Sequence, residues 1–294
     1  MLDRILKVSL FNPLTRGRFH LPPLNPVPDM LTKIGDLYFV PDPIFNNEHL
    51  VKLEEMDHYF DCYASITPDP EMMDVIDGVV FFMVRKCPKI QYWRMGDVGW
   101  TLLELGSNSH IKTIAFHKGK HYILDGNGNT VVCDLWSSEK AVAVSSLKLP
   151  EDSCYYDRDH HLITTPEDLL LVTCWCDTYS ANFGLVPEMC FEYCKLDEGE
   201  GTPTWLRLEG VGDCTVFITL GAFDGKGKSV SVSCSAPGFR RNCSYYVVPR
   251  KNDGSKDQQP CHVDLTIIGD RSLDVEEIFN TYFPSCTWIT PSLY

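Results

Sequence analysis

Cysteine, histidine and aspartate are the side chains through which this sequence could do chemistry, and they gather in a few places. Cys174 and Cys176 flank Trp175, Cys190 and Cys194 follow a short way on, and His160-His161 stands beside Asp157 and Asp159. Thiolate, imidazole and carboxylate together are the donors of zinc-class sites. No C-x-x-C pair supplies the usual spacing of a tetrahedral site, and neighbours in sequence rarely converge on one ion. The His160-His161 segment therefore reads as a solvated loop ahead of a strand. His117 and His121 read as half-exposed flanks of a hairpin turn at Gly119. Asp125-Gly-Asn-Gly-Asn129 opens like a calcium loop, but Thr130 stands where the sharp-turn glycine belongs and Trp136 where the bidentate glutamate belongs. A type I′ hairpin explains it better.

Nucleophile signatures are equally thin. Ser137-Ser-Glu-Lys140 and Ser145-Ser-Leu-Lys148 match S-x-x-K, and Phe223-Asp224-Gly225 matches a kinase tripeptide, without the elements that give either pattern its chemistry. The chain contains no G-x-S-x-G, H-E-x-x-H, P-loop or G-x-G-x-x-G string. The sequence thus assigns no catalytic, cofactor-binding or metal-binding residue, and the expectation is a protein without a cofactor that is not an enzyme. Of the tryptophans, Trp100 and Trp205 are expected in the core, and Trp93 and Trp136, near strand ends, at the surface.

The elements that would position these groups are strands. Alternating and β-branched runs dominate. Eight of them span 59–67, 77–86, 89–95, 100–105, 110–117, 120–125, 129–136 and 141–147. Further runs cover 168–175, 189–197, 204–210, 214–220, 228–234, 242–249 and 262–268. Trp100-Thr-Leu-Leu-Glu104 is echoed 105 residues later by Trp205-Leu-Arg-Leu-Glu209, which suits two blades of about 40 to 50 residues with an insertion. The reading is all-β: a single-domain β-propeller of roughly six blades, each a four-stranded antiparallel sheet. A double β-sandwich explains the alternation but not the recurrence. The segments 21–29, 41–58, 196–204 and 251–260 read as irregular excursions, the places where propellers carry function.

Composition narrows the function classes. The 294 residues carry 26 Lys and Arg against 40 Asp and Glu, a net charge of −14. That excludes a cationic footprint for nucleic acid or an anionic membrane across the chain as a whole. Thirteen cysteines, an odd number, lie mostly in apolar runs and read as small interior hydrophobes of a reduced, intracellular protein. Asn242-Cys243-Ser244 is then a chance glycosylation triplet. Asp3, Arg4 and Lys7 interrupt any signal-peptide core, and no apolar stretch reaches the roughly 18 residues of a membrane helix.

Strings along the chain resemble the plant F-box-associated β-propeller family, a domain family of unknown function that includes the KIB-type regulators of brassinosteroid signalling. SLFNPLTRGRFHLPPL (9–24) is similar to its "NP-(F/L)-T-R … LPPL" opening, and MGDVGWTLLE (95–104) to its "GD-x-x-W-T" strand pair. IKTIAFHKGKHYILDGNGNTVVCDL (111–135) is similar to its "F-x-GK-x-Y-x-x-D-x-x-G … D-L" blade, and TWITPSLY (287–294) to its terminal "W-x-TPSL". TPEDLLLV (165–172), FEYCKLD…W (191–205), LEGVGDCTVFITL (208–220) and NCSYYV (242–247) match further elements in the same order. The segment 221–230 departs from the pattern, being rich in glycine and lysine.

Members of that family commonly carry an N-terminal F-box that docks on a Skp1-type adaptor of a ubiquitin ligase. Here about ten residues, MLDRILKVSL (1–10), precede the propeller opening, too few for three helices. The resemblance therefore implies a protein-binding propeller without an F-box, for which Skp1-type adaptor binding is not expected. It would target a protein partner for ubiquitination or act as a binding-only competitor. The further expectations are a monomer in the cytoplasm or nucleus, with no nucleic-acid or membrane partner. The alternatives are an axial ligand or carbohydrate pocket, hydrolytic in one version and built on Asp157, His160 and His161, or a vestigial truncated paralogue.

Overall fold

In a computed structural model of the chain, the described residues are 9–11, 18–23, 33–41, 48–52, 60–68, 76–84, 87, 89–103, 105, 110–135, 142–147, 158–165, 167–177, 188–199, 203–219, 229–233, 242–249 and 263–268. All regular structure among them is strand. The chain divides into two compact units, Met1–Ile111 and Lys112–Tyr294.

The first unit begins with a ribbon of β1 (Ser9–Phe11) and β2 (Arg18–His20), followed by a sheet of β3 (Lys33–Ile34), β4 (Leu37–Pro41) and β5 (Glu48–Lys52). Gly35 takes φ +61° at the first central position of the two-residue turn between β3 and β4, as a type II′ hairpin requires. Tyr38 and Val51 pair across this sheet on its buried face, whereas Leu50 is exposed on the other. β5 lies inside the segment 41–58, which its sequence marks as irregular. Its prolines and acids mask a short edge strand with few apolar residues.

A four-stranded meander completes the unit: β6 (Phe60–Pro68), β7 (Ile76–Val84), β8 (Ile90–Arg94) and β9 (Thr101–Leu103). Val79 through Val84 of β7 are all buried, so both faces are covered, and the strand reads as a continuous apolar run rather than an alternation.

The second unit carries three sheets. β10 (Ile111–His117), β11 (Lys120–Asp125), β12 (Thr130–Asp134) and β13 (Val142–Leu147) form one meander. β14 (Asp159–Thr164), β15 (Leu169–Asp177), β16 (Glu188–Asp197) and β17 (Thr204–Leu208) form the next. Lys118 and Gly119, at φ +46° and +80°, make the type I′ turn of the first hairpin. The turn after β11 is different from the expected one. It is a three-residue loop with Gly128 at φ +82°, and the Asp125 carboxylate accepts from the amides of Asn127 and Asn129 at 2.9 and 2.8 Å.

Strand alternation then assigns the two faces of the β14–β17 sheet. Leu162, Leu171 and Trp205 pack on Tyr122, Leu124 and Val132 of the preceding sheet. On the opposite face, Ile163, Val172 and Tyr193 pack on Val216 and Ile218 of β18 (Cys214–Thr219). The last sheet runs in the order β19 (Ser229–Ser233), β18, β20 (Cys243–Pro249), β21 (Val263–Ile268), with β18 and β20 parallel. This corrects the expectation of four antiparallel strands in every blade. β19 takes the edge, and the chain crosses back to place β20 on the far side of β18.

The described residues form four four-stranded sheets, one three-stranded sheet and a two-stranded ribbon, so four blades have the expected four strands. Trp100 immediately precedes the fourth strand of one four-stranded sheet and Trp205 lies in the fourth strand of another, with one sheet between them in sequence. The 105-residue echo is therefore a two-blade repeat.

Candidate functional site

Loops that enter fourth strands are equivalent positions in successive blades, and two of them carry the polar geometry of most interest. Between β8 and β9, the sequence Met-Gly-Asp-Val-Gly-Trp (95–100) makes a braced turn. The Arg94 guanidinium donates to both Asp97 oxygens from Nε at 3.1 Å and from NH2 at 3.4 Å, and the Arg94 amide donates to Oδ2 at 3.2 Å. Trp93 Nε1 donates to the Asp97 carbonyl at 2.9 Å, and Gly96 supplies the positive φ of +94°. Trp100 Nε1 donates to the Pro22 carbonyl at 3.0 Å. At the tip Val98 is 101% exposed. Phe19, itself exposed, lies 5.9 Å from Trp93, ring centre to ring centre.

The corresponding loop between β16 and β17 turns its chemistry inward. Glu198 Oε1 accepts from the Tyr122 hydroxyl of the preceding sheet at 2.8 Å, and Lys120 and Lys118 lie 3.6 and 3.8 Å from the carboxylate. Burial pushes the Glu198 carboxyl up, but the Tyr122 hydroxyl and both ammonium groups outweigh it and hold it below its ordinary value. Burial first, and Glu198 second, push the Tyr122 phenol well above its own.

At the opposite end of the β14–β17 sheet, Asp159 and His161 alternate on β14 and Cys174 lies directly across from Asp159 on β15. Pleating sends all three to one face. One ligand atom from each falls within 4.8 Å of the others. His161 Nε2 is 3.3 Å from Asp159 Oδ2, Lys112 Nζ donates to Asp159 Oδ1 at 2.8 Å, and the Cys174 thiol faces the Asp159 carbonyl at 3.6 Å. Burial raises the Asp159 carboxyl, yet its contacts with His161 and Lys112 prevail and hold it well below the carboxylate range. Burial, reinforced by the Asp159 charge, pushes the Cys174 thiol up.

A family model described as the KIB1-4 beta-propeller matches residues 1–277. The chain belongs to that family. No curated protein matches it.

Within this KIB-type propeller several sequence readings change. The His160-His161 segment is not a solvated loop: both side chains are buried on β14, and His160 Nδ1 lies 3.0 Å from the Thr173 hydroxyl. Burial, with Lys112 next, lowers the His160 imidazole to about 4. His117 and His121 are buried rather than half-exposed, and they lie on opposite faces. A two-residue turn sets His117 beside Tyr122, 6.4 Å between rings, and His121 beside Phe116, 4.8 Å between rings. Burial lowers His121 to about 4.

Trp93 is buried rather than a surface residue: its ring packs with Leu21 and Val80 while its indole nitrogen closes the 94–97 turn. Trp205 is buried as expected, whereas Trp100 is half-buried. Cys87, Cys133, Cys174 and Cys194 are buried, and Cys190 and Cys214 are half-buried. Trp136, Asp157, Ser137 to Lys140, Lys148 and Phe223 to Gly225 lie outside the described residues, as does the side chain of Cys176. Among the described residues no helix is long and apolar enough to cross a membrane.

Two features escaped the sequence reading. The grouping of Cys174 with Asp159 and His161 has a signature, x and x+2 on one strand plus the residue across from x, but it needs the register. The Val98 tip has one too: a valine between two loop residues, Asp97 and Gly99, with tryptophan next.

Proposed function

We propose that this chain is a non-enzymatic protein-interaction module that engages its partner through the 94–100 loop and the adjoining Phe19. The observation that carries this reading is the fixed presentation of Val98. A lone exposed valine needs no explanation. Here, however, the backbone on either side is pinned by Trp93, Arg94 and Trp100, so little conformational entropy remains to be lost on binding. The charge of −14 favours a partner with a basic or mixed-charge rim around an apolar pocket.

The family resemblance supports two versions of this role. The propeller either selects a protein for ubiquitination or, as a monomeric intracellular competitor, occupies the partner of F-box-bearing relatives. Substituting Val98→Asp tests the surface. Capture of partner proteins from plant cells should fall by about tenfold, the effect of a central contact, with unchanged thermal stability. A pull-down with a Skp1-type adaptor separates the two versions: strong binding by residues 1–294 rules out the binding-only competitor.

A further inference from the structure

The cluster on β14 and β15 contains more donor chemistry than a buried ion pair needs. Lys112 and the His160 amide both donate to Asp159 Oδ1. Oδ2 is turned towards His161 Nε2, and the Cys174 thiol completes a triangle of oxygen, nitrogen and sulfur on one face of a rigid strand pair. His161 and Cys174 are 3% and 1% exposed, and Asp159 is the member that reaches solvent. We propose that Asp159, His161 and Cys174 form a binding site for a zinc-class divalent transition-metal ion, with the open side at Asp159.

Three protein donors of mixed type plus one solvent ligand form a recurrent zinc set. A thiolate with an imidazole selects such an ion over magnesium or calcium, which prefer oxygen. The site departs from the familiar spacing because sheet register, not a knuckle or a helix turn, gathers the donors. His161 and Cys174 are diagonal neighbours two ladder positions apart, and Asp159 joins them as the pair of one and the alternate neighbour of the other. On binding, the Cys174 S–H bond breaks, the sulfur electron pair passes to the metal and the proton leaves to solvent. The carboxylate binds without losing a proton, and the imidazole binds through a ring nitrogen that carries none, any proton on that nitrogen leaving to solvent. The ion would tie β14 to β15 beside Lys112 of the preceding sheet. That ammonium is its rival for the carboxylate.

The test is titration of the full-length, chelator-treated protein with cobalt(II), followed by zinc(II). One equivalent of cobalt should produce thiolate-to-metal charge transfer and strong visible bands, and zinc should bleach both. Cys174→Ala and His161→Gln should each weaken binding by more than about 100-fold, beyond what changes around a metal site usually cause. Cys133→Ala, a buried cysteine of another sheet, should leave it unchanged. Lys112→Met keeps every ligand and removes the rival charge, so it should tighten binding by about tenfold. This variant decides the matter if the ligand variants fail to fold. Absence of a one-to-one complex, an undiminished spectrum in the Cys174 and His161 variants, or an unaltered affinity in Lys112→Met overturns the proposal.

Discussion

The loops that enter β9 and β17 hold the same position in two blades, lead to the same tryptophan, and behave in opposite ways. Before β9, polar groups pair within the loop, Arg94 with Asp97, and the apolar residue Val98 is left outside. Before β17, Glu198 reaches across to Tyr122 of the neighbouring sheet and the loop becomes an inter-sheet tie. The tryptophans follow suit. Trp100 satisfies its indole nitrogen on Pro22, whereas the Trp205 nitrogen is buried without a partner among the described residues. A repeat scaffold thus fixes where a loop is placed, and a few side chains decide whether it ties two sheets together or leaves an apolar residue exposed.

That contrast breaks most directly at the tryptophans. Trp205→Ala should cost about 3 to 5 kcal/mol, the range for a large buried aromatic. Trp100→Ala should cost about half as much, because its ring is only half-buried. Urea denaturation of both variants checks this, and equal losses would remove the distinction. Next in size is a pH effect confined to the second unit, where all the buried histidines among the described residues lie.

His121 and His160 titrate near 4 when folded and near 6.5 unfolded. Their contribution is complete above about pH 6.5 and is lost as the pH falls towards 4, by up to about 1.4 kcal/mol per unit for each histidine. Hydrogen exchange at pH 5 should therefore speed up in β10–β17 more than in β6–β9, and His160→Gln should reduce the difference.

Smaller effects sharpen the inward loop. Tyr122→Phe removes one hydrogen bond to Glu198, worth about 1 kcal/mol, and calorimetry should register that loss. Lys118→Ala and Lys120→Ala should each change stability by less than about 0.5 kcal/mol, since both lysines are well exposed and at the long end of pairing distance.

The fold was legible because strand signals are local. The run 120–125 coincides with β11, and the eight runs from 59 to 147 become the meanders β6–β9 and β10–β13, since hairpin glycines such as Gly119 punctuate them. β14 carries no local signal: Asp159, His160 and His161 look soluble, and only pairing with Leu169–Cys174 shows both histidines buried. The parallel crossing of β18 and β20 has no local signal either, because it is a property of how the chain returns. Site geometry was less legible for the same reason. Faces and partners depend on register, and a one-residue shift would send Asp159 and Cys174 to the other face.

The central claim is that the loop before β9 faces a partner while its counterpart before β17 faces the protein. Proximity labelling in plant cells with the wild-type chain, Val98→Asp and Glu198→Gln tests it. The expected result is a reproducible set of labelled proteins that is lost with Val98→Asp and kept with Glu198→Gln, all three chains having the same circular dichroism. A labelled set that survives Val98→Asp unchanged, or that disappears with Glu198→Gln instead, would contradict it.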